Sequence, residues 1–306
     1  MLFLTVIVYM VTACGANNRE SSYEPSVPTA AEKAWEVAHR LEGQGQSSEA
    51  IAAYHSLCNG VHAYSRACYD ECRLTFDVGR ISEGRFCADA FVRAHPDSAL
   101  APVAAKSIAR SYRKEKAYEK GADALLYLAE QVQGTDVWDS LMYAVASLYR
   151  SAGSIAKEES TLMGIIEHGR WGSQLWDNAI WRVIAIQKEK KDDVAEEALI
   201  RKMLAAREDS RLIASYHSPY YDDALFRLGM IYLERGDDDN AYRAFKKLST
   251  WKSSRLKDDA VVECARIKMK IGNKDDACEL LDDVIRTSGS SSARRAKRYS
   301  SEWNCL

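Results

Sequence analysis

Four residues early in the chain have the types and spacing of a metal or disulfide centre. Cys58, His62, Cys68 and Cys72 form a C-x3-H-x5-C-x3-C cluster, and thiolates with an imidazole are the donors of a tetrahedral zinc site. The same thiols could instead be oxidised in pairs or stay buried and reduced, and the cluster alone leaves all three open. The other cysteines are Cys14, Cys87, Cys264, Cys278 and Cys305. Aromatic residues offer a second kind of chemistry. Trp171 lies in the segment HGRWGS, and Tyr216, His217, Tyr220 and Tyr221 crowd one connection. Connections need no aromatics for a core, so these rings are candidates for stacking on a sugar or anchoring a peptide. Trp176 and Trp181, set within a helical pattern, read instead as packing. The hydrolase and phosphate-binding motifs H-E-x-x-H, G-x-S-x-G and G-x-x-x-x-G-K-S/T do not occur, and no cofactor or metal is called for. The expectation is a noncatalytic chain.

Composition narrows the partner. With 306 residues, 47% hydrophobic and 28% charged, the chain can bury a sizeable core. A net charge of −2 argues against a strongly basic nucleic-acid binder, and five prolines with sixteen glycines leave little for long linkers. Protein or glycan is the expected partner.

The elements that position these residues are clearest in 222–248, DDALFRLGMIYLERGDDDNAYRAFKKL. Counting Asp222 as position 1, Leu225, Leu228, Gly229, Tyr232, Gly236, Ala241, Phe245 and Leu248 fall at positions 4, 7, 8, 11, 15, 20, 24 and 27. Positions 4, 7 and 11 share one face of a helix, and small residues at 8 and 20 let two antiparallel helices, A and B, approach closely. This spacing resembles the tetratricopeptide repeat. The same ruler fits copies starting at 31, 65, 102, 139, 177 and 258. Two are degenerate: Glu158 fills position 20 of the fourth, and Gln187 and Glu196 fill positions 11 and 20 of the fifth. The resemblance implies an all-α, right-handed helical-repeat solenoid of about seven helix pairs over 31–290, with a capping helix in 291–306. The longest spacing, before 222, contains 207–221 and predicts an extended helix B followed by a loop. Acidic pairs at 192–193, 222–223, 237–239, 258–259 and 275–276 read as helix caps, not calcium loops, because the alternating D-x-D-x-D-G pattern is missing.

Repeat geometry then implies disulfide partners: Cys58 beside Cys68, Cys72 facing Cys87, and Cys264 facing Cys278, with Cys305 free or exchanging with Cys278. Oxidised thiols fit the N-terminus. Residues 1–13, MLFLTVIVYMVTA, suit the apolar core of a signal peptide, although no Lys or Arg precedes it. Val11-Thr12-Ala13-Cys14 resembles the bacterial lipobox, which implies diacylation of Cys14, a polar tether over 14–30, and an outer-membrane address facing the periplasm.

HPDSALAPVAAKSIARSY and SPYYDDALFRLGMIYLERGDDDNAYRAFKKL are similar to repeats of bacterial envelope tetratricopeptide proteins. Those include the lipoprotein of the outer-membrane β-barrel assembly machine, the Tol-Pal-associated periplasmic coordinator and pilotin lipoproteins. The resemblance implies a lipid-tethered scaffold whose concave groove, lined by helix A, binds an envelope protein. The alternative is a peptidoglycan-binding factor or the accessory of a separate hydrolase. Glu159-Ser160 resembles the catalytic pair of lytic transglycosylases but lies inside a repeat helix, with no lysozyme-like domain after it. Arg286, Arg294, Arg295, Lys297 and Arg298 form a basic patch that reads as a solvated cap or a contact with anionic lipid or an acidic partner.

Overall fold

The computed structural model describes residues 29–59, 65–169, 173–209, 218–251, 253–287 and 290–305. Cys14, His62, Trp171, Tyr216 and His217, with the signal segment and most of the tether, lie outside the described residues. Fifteen helices and no strands are found among the described residues. They form seven A/B pairs, α1 (Ala30–Gly43) with α2 (Ser47–Cys58), α3 (Ser65–Asp77) with α4 (Ile81–Ala94), α5 (Ala101–Lys114) with α6 (Tyr118–Gln131), and α7 (Trp138–Ala152) with α8 (Ile155–Glu167). The series continues with α9 (Trp176–Lys190) and α10 (Asp193–Asp209), α11 (Tyr221–Glu234) and α12 (Asp238–Ser249), α13 (Lys257–Lys270) and α14 (Lys274–Thr287), then the unpaired α15 (Ser291–Glu302). Every A helix begins within one residue of its expected start. The fold is a tetratricopeptide-like helical repeat.

The chain divides into two compact units, Met1–Ala67 and Cys68–Leu306. In the first, α1 packs on α2; Tyr54 is fully buried and its hydroxyl donates to Glu42 Oε2 at 3.0 Å. The capping box Thr29/Glu32 starts α1.

In the second unit α4 packs on α5, and from α5 onward each B helix packs on its own A helix and on the helix that follows. The anchor pair shows why. Leu225, Leu228, Tyr232, Ala241, Phe245 and Leu248 are all buried, and a Cβ added at Gly229 would lie 2.6 Å from Phe245 Cζ. Likewise a Cβ at Gly121 would lie 2.6 Å from Tyr112 Cβ. Position 15, between helices A and B, is left-handed in all seven pairs. Gly45, Gly79, Gly153, Gly236 and Gly272 supply it in five, while Lys116 (φ 57°) and Lys191 (φ 59°) adopt it in the third and fifth. At 17 residues α10 is the longest helix, as the wide spacing predicted. Asp192 and Asp237 cap α10 and α12, accepting from Ala195 N at 3.0 Å and Asn240 N at 3.1 Å.

The cysteines agree with the repeat geometry in part. Cys72–Cys87 is a disulfide within the second pair. Cys58 and Cys68 are each disulfide-bonded, so three thiols of the early cluster are unavailable as zinc thiolates. The expected Cys264–Cys278 bond is not made: Cys278 bonds Cys305, and Cys264 is free and buried. The correction has a physical reason. Helix α15 packs on both α13 and α14, and the turn after it carries Cys305 back to α14. Burial, opposed by Lys246 and Lys268 nearby, pushes the Cys264 thiol up to about 12, which leaves it protonated and inert at neutral pH.

Candidate functional site

The degenerate repeats carry charges where the pattern asks for small residues, and each charge is answered from the next repeat. Glu158 and Glu196, both at position 20, are 0% exposed. Arg182 Nε reaches Glu158 Oε1 at 2.8 Å and its Nη2 reaches Oε2 at 3.1 Å; Arg150 Nε adds a bond of 2.6 Å. Arg227 holds Glu196 in the same two-pronged way, at 2.7 and 2.8 Å. Arg182 and Arg227 both occupy position 6 of the following A helix. Only where position 20 is Glu does the next repeat place Arg at position 6, a signal present in the sequence but invisible to a ruler applied one repeat at a time. At α15 the pattern recurs with opposite sense: Arg295 donates to Asp259 at 3.0 Å and also to Glu263.

These ion pairs lock a B helix to the A helix that follows it, and the A helices present what remains exposed. At position 5 of the second, fourth, fifth and sixth pairs stand Tyr69, Tyr143, Trp181 and Phe226, all half-buried. Trp181 stacks on Tyr220 at 5.5 Å between ring centroids, and Asn178 Nδ2 donates to the Tyr220 hydroxyl at 3.0 Å. Thus Tyr220, read from the connection as a binding candidate, joins this row. Tyr221 does not. It is 2% exposed, within the core formed by α9, α11 and their neighbours, because it opens α11 on its buried face; it can offer no ring to a partner, and the reading of it as a surface anchor is corrected. Trp176 is also core, 3% exposed, its indole donating to Ile166 O at 3.3 Å.

Between α3 and α5 the A-helix face deepens into a pocket of about 350 Å³. Tyr69, Phe76, Ile81 and Val103 give it apolar surface, Lys106, Arg110 and Lys114 bring positive charge, and Arg73 and Asp77 line it as an ion pair.

Glu159 is tied down rather than poised. Lys190 and Gln187 both donate to it, the latter at 2.6 Å, and these bonds hold its carboxyl below the ordinary glutamate value against the opposing effect of burial. A glycosidase acid needs the opposite shift. In the C-terminal patch, Arg286 pairs with Asp282, Arg295 with Asp259 and Glu263, and Arg298 with Glu302, so three of its five cations are already engaged. Among the described residues no group of three His, Cys, Asp or Glu side chains is arranged to hold a metal ion.

Residues 223–250 match the tetratricopeptide repeat family. That match is the anchor repeat, α11 and α12. Among curated proteins there is no match. The chain is also similar to solved structures, at low identity. A chain of the Naa15/Naa10 complex bound to HypK-THB is 13% identical over 91% of this chain and 40% of that one, with a TM-score of 0.48; this chain spans less than half of that relative. BtubC from P. vanneervenii is 15% identical over 91% of this chain and 94% of its own, TM-score 0.45. YrrB, described as a tetratricopeptide protein with an unusual peptide-binding site, is 14% identical over 69% and 99%, TM-score 0.43.

Proposed function

We propose that this chain is a noncatalytic scaffold that holds a segment of a partner protein along the A-helix face of residues 68–306, tethered to the periplasmic side of a bacterial outer membrane by lipid on Cys14. The observation that carries the reading is the row of half-buried rings at position 5, Tyr69, Tyr143, Trp181 and Phe226, extended by Tyr220. Aromatics that are neither fully buried nor solvated are the residue types that anchor peptides and helices at interfaces. The tetratricopeptide match over 223–250 supports a scaffold role. The Cys72–Cys87 and Cys278–Cys305 disulfides support an oxidising compartment, and the Val11–Cys14 segment supports the anchor.

Capture from detergent-solubilised envelope tests the reading. Wild-type protein is expected to retain a discrete protein partner, and Tyr143→Ala with Trp181→Ala to lose it, each ring contributing about 2 kcal/mol; thermal unfolding of the variants checks that they remain folded. Co-sedimentation with purified peptidoglycan that disappears in Trp171→Ala, with no protein captured, would instead establish the cell-wall reading. Cys14→Ser is expected to move the protein from the membrane to the soluble fraction; persistence in the membrane refutes the lipid anchor.

A further inference from the structure

Beyond the binding of a partner along the A-helix face, we propose that a second copy of this chain docks on the outer face of α4. The two α4 helices lie antiparallel, with Phe86 of each copy against Ala90 of the other. Gly84, Ala88, Phe91 and Val92 are the buried side of α4. Turned away from them, Ser82, Glu83, Phe86, Ala90, Arg93 and Ala94 are exposed. Glu83, Phe86, Ala90 and Arg93 follow one another at i, i+3, i+7 and i+10, the spacing of a coiled-coil seam. The ring at its centre is the anomaly. Phe86 is 79% exposed, more than any other large apolar side chain among the described residues.

Phe86 holds position 22 of its repeat, where the other six pairs have Ala52, Asp123, Ser160, Ala198, Arg243 and Glu279. Those are the small or charged residues of a solvated helix side. A phenylalanine left in water forfeits the transfer free energy that its burial would supply. Beside it, between α4 and α6, opens a groove of about 220 Å³, lined by Phe86, Ala124, Ile108, Leu125 and Leu128. Tyr127 on α6 is 58% exposed, and the Arg93 guanidinium lies over its ring at 5.4 Å. An apolar knob and an unfilled apolar groove thus stand side by side on one surface.

The residues of this face match a second copy of themselves, in one orientation. In an antiparallel pair Glu83 meets Arg93, Phe86 meets Ala90 and Ser82 meets Ala94, each contact occurring twice about a two-fold axis. Large then packs on small and acid on base. A parallel pair would instead set Phe86 on Phe86, Glu83 on Glu83 and Arg93 on Arg93, which like-charge repulsion opposes. Glu83 pairs with Arg80 and Arg93 with Asp89, surface pairs that leave both side chains open to a further partner. On α14 positions 18, 22, 25 and 26 are Asp275, Glu279, Asp282 and Asp283, a face that repels its own copy. One helix face with Tyr127 is smaller than an obligate interface, so the dimer is weak, with a dissociation constant on the order of 10 μM. Tyr143, Trp181 and Phe226 lie on A helices and stay free for a partner.

Sedimentation velocity on the full-length chain, with detergent micelles in excess and protein from about 1 to about 100 μM, is the test. Wild type is expected to pass from monomer to dimer across that range, and Phe86→Asp to weaken dimerisation by roughly tenfold or more. Val194→Asp, which removes a similarly exposed apolar side chain on α10, is expected to change nothing. Glu83→Arg and Arg93→Glu each set like charges across the axis, so each is expected to dimerise more weakly. A mixture of those two variants is expected to form heterodimers, because every Arg then faces a Glu. Thermal unfolding checks that all four variants remain folded. The inference fails if the chain stays monomeric throughout, if Phe86→Asp dimerises as wild type does, if Val194→Asp weakens dimerisation as much, or if the mixture associates no better than either variant alone. A monomeric chain that loses a captured protein on Phe86→Asp would assign the face to a different partner and refute the second copy.

Discussion

A carboxylate with no exposed surface is stable only if its desolvation is answered at close range. Glu158 and Glu196 meet that condition through Arg182 and Arg227. Breaking such a pair from one side leaves an unbalanced buried charge, whereas replacing both partners by apolar groups is often neutral. Glu196→Ala is therefore expected to cost about 3 kcal/mol in urea unfolding, and Glu196→Ala with Arg227→Leu to recover most of it. A double variant no more stable than the single one would show that Arg227 serves another purpose. Acid unfolding tests the partner pair. Burial of Glu158 opposes ionisation, but hydrogen bonds from Arg182 and Arg150 outweigh it and hold the carboxyl below its ordinary value of 4.5. The folded state thus binds fewer protons than the unfolded state. The stabilisation is complete above pH 4.5 and is lost as pH falls through the lower, folded value. Glu158→Gln is expected to flatten the decline of melting temperature below that pH relative to wild type; an unchanged slope would refute the assignment.

At the scale of the element, the turn between helices A and B sets the angle of each pair, and its left-handed residue is the point of greatest backbone constraint. Five pairs use glycine, whereas Lys116 and Lys191 hold the same conformation with a side chain. A left-handed non-glycine residue costs about 1–2 kcal/mol, while glycine gives back about 0.4–1 kcal/mol through the freer unfolded chain. Lys116→Gly and Lys191→Gly are accordingly each expected to stabilise by about 0.5–1 kcal/mol, measured by urea unfolding; destabilisation by either would mean that the lysine makes a contact worth more than its strain. The same turns explain why so much of the fold was legible. Glycine at position 15, with apolar residues at 4, 7 and 11, recurs in enough repeats to place every A helix. What the pattern missed lies between repeats. The Glu158–Arg182 and Glu196–Arg227 pairs join residues 24 and 31 apart in sequence, while Tyr221 was assigned to a connection although it opens α11.

For the molecule as a whole, a stack of helix pairs must be closed at its end, since the last pair has an apolar face and no neighbour. Helix α15 closes residues 68–306. Ala293 and Ala296 are buried against Val261, Val262, Leu281 and Val284, Ser292 donates to Asp259 at 2.8 Å, and Cys305 is bonded to Cys278 across a separation of 27 residues. The repeat ruler paired Cys264 with Cys278 because it treated the seventh pair as complete; the cap is what makes Cys305 the nearer partner. Closing a loop of that length removes unfolded-chain entropy worth about 3–4 kcal/mol. Cys305→Ser is expected to lose about that much in urea unfolding while α15 stays docked, because Arg295 still bridges to Asp259 and Glu263. Adding Arg295→Ala removes the electrostatic half of the attachment, and trypsin is then expected to cut at Arg294 and Lys297 much faster than in either single variant. Equal cleavage in all three would mean that small-residue packing alone holds α15, and that the disulfide stabilises the unit without securing its cap.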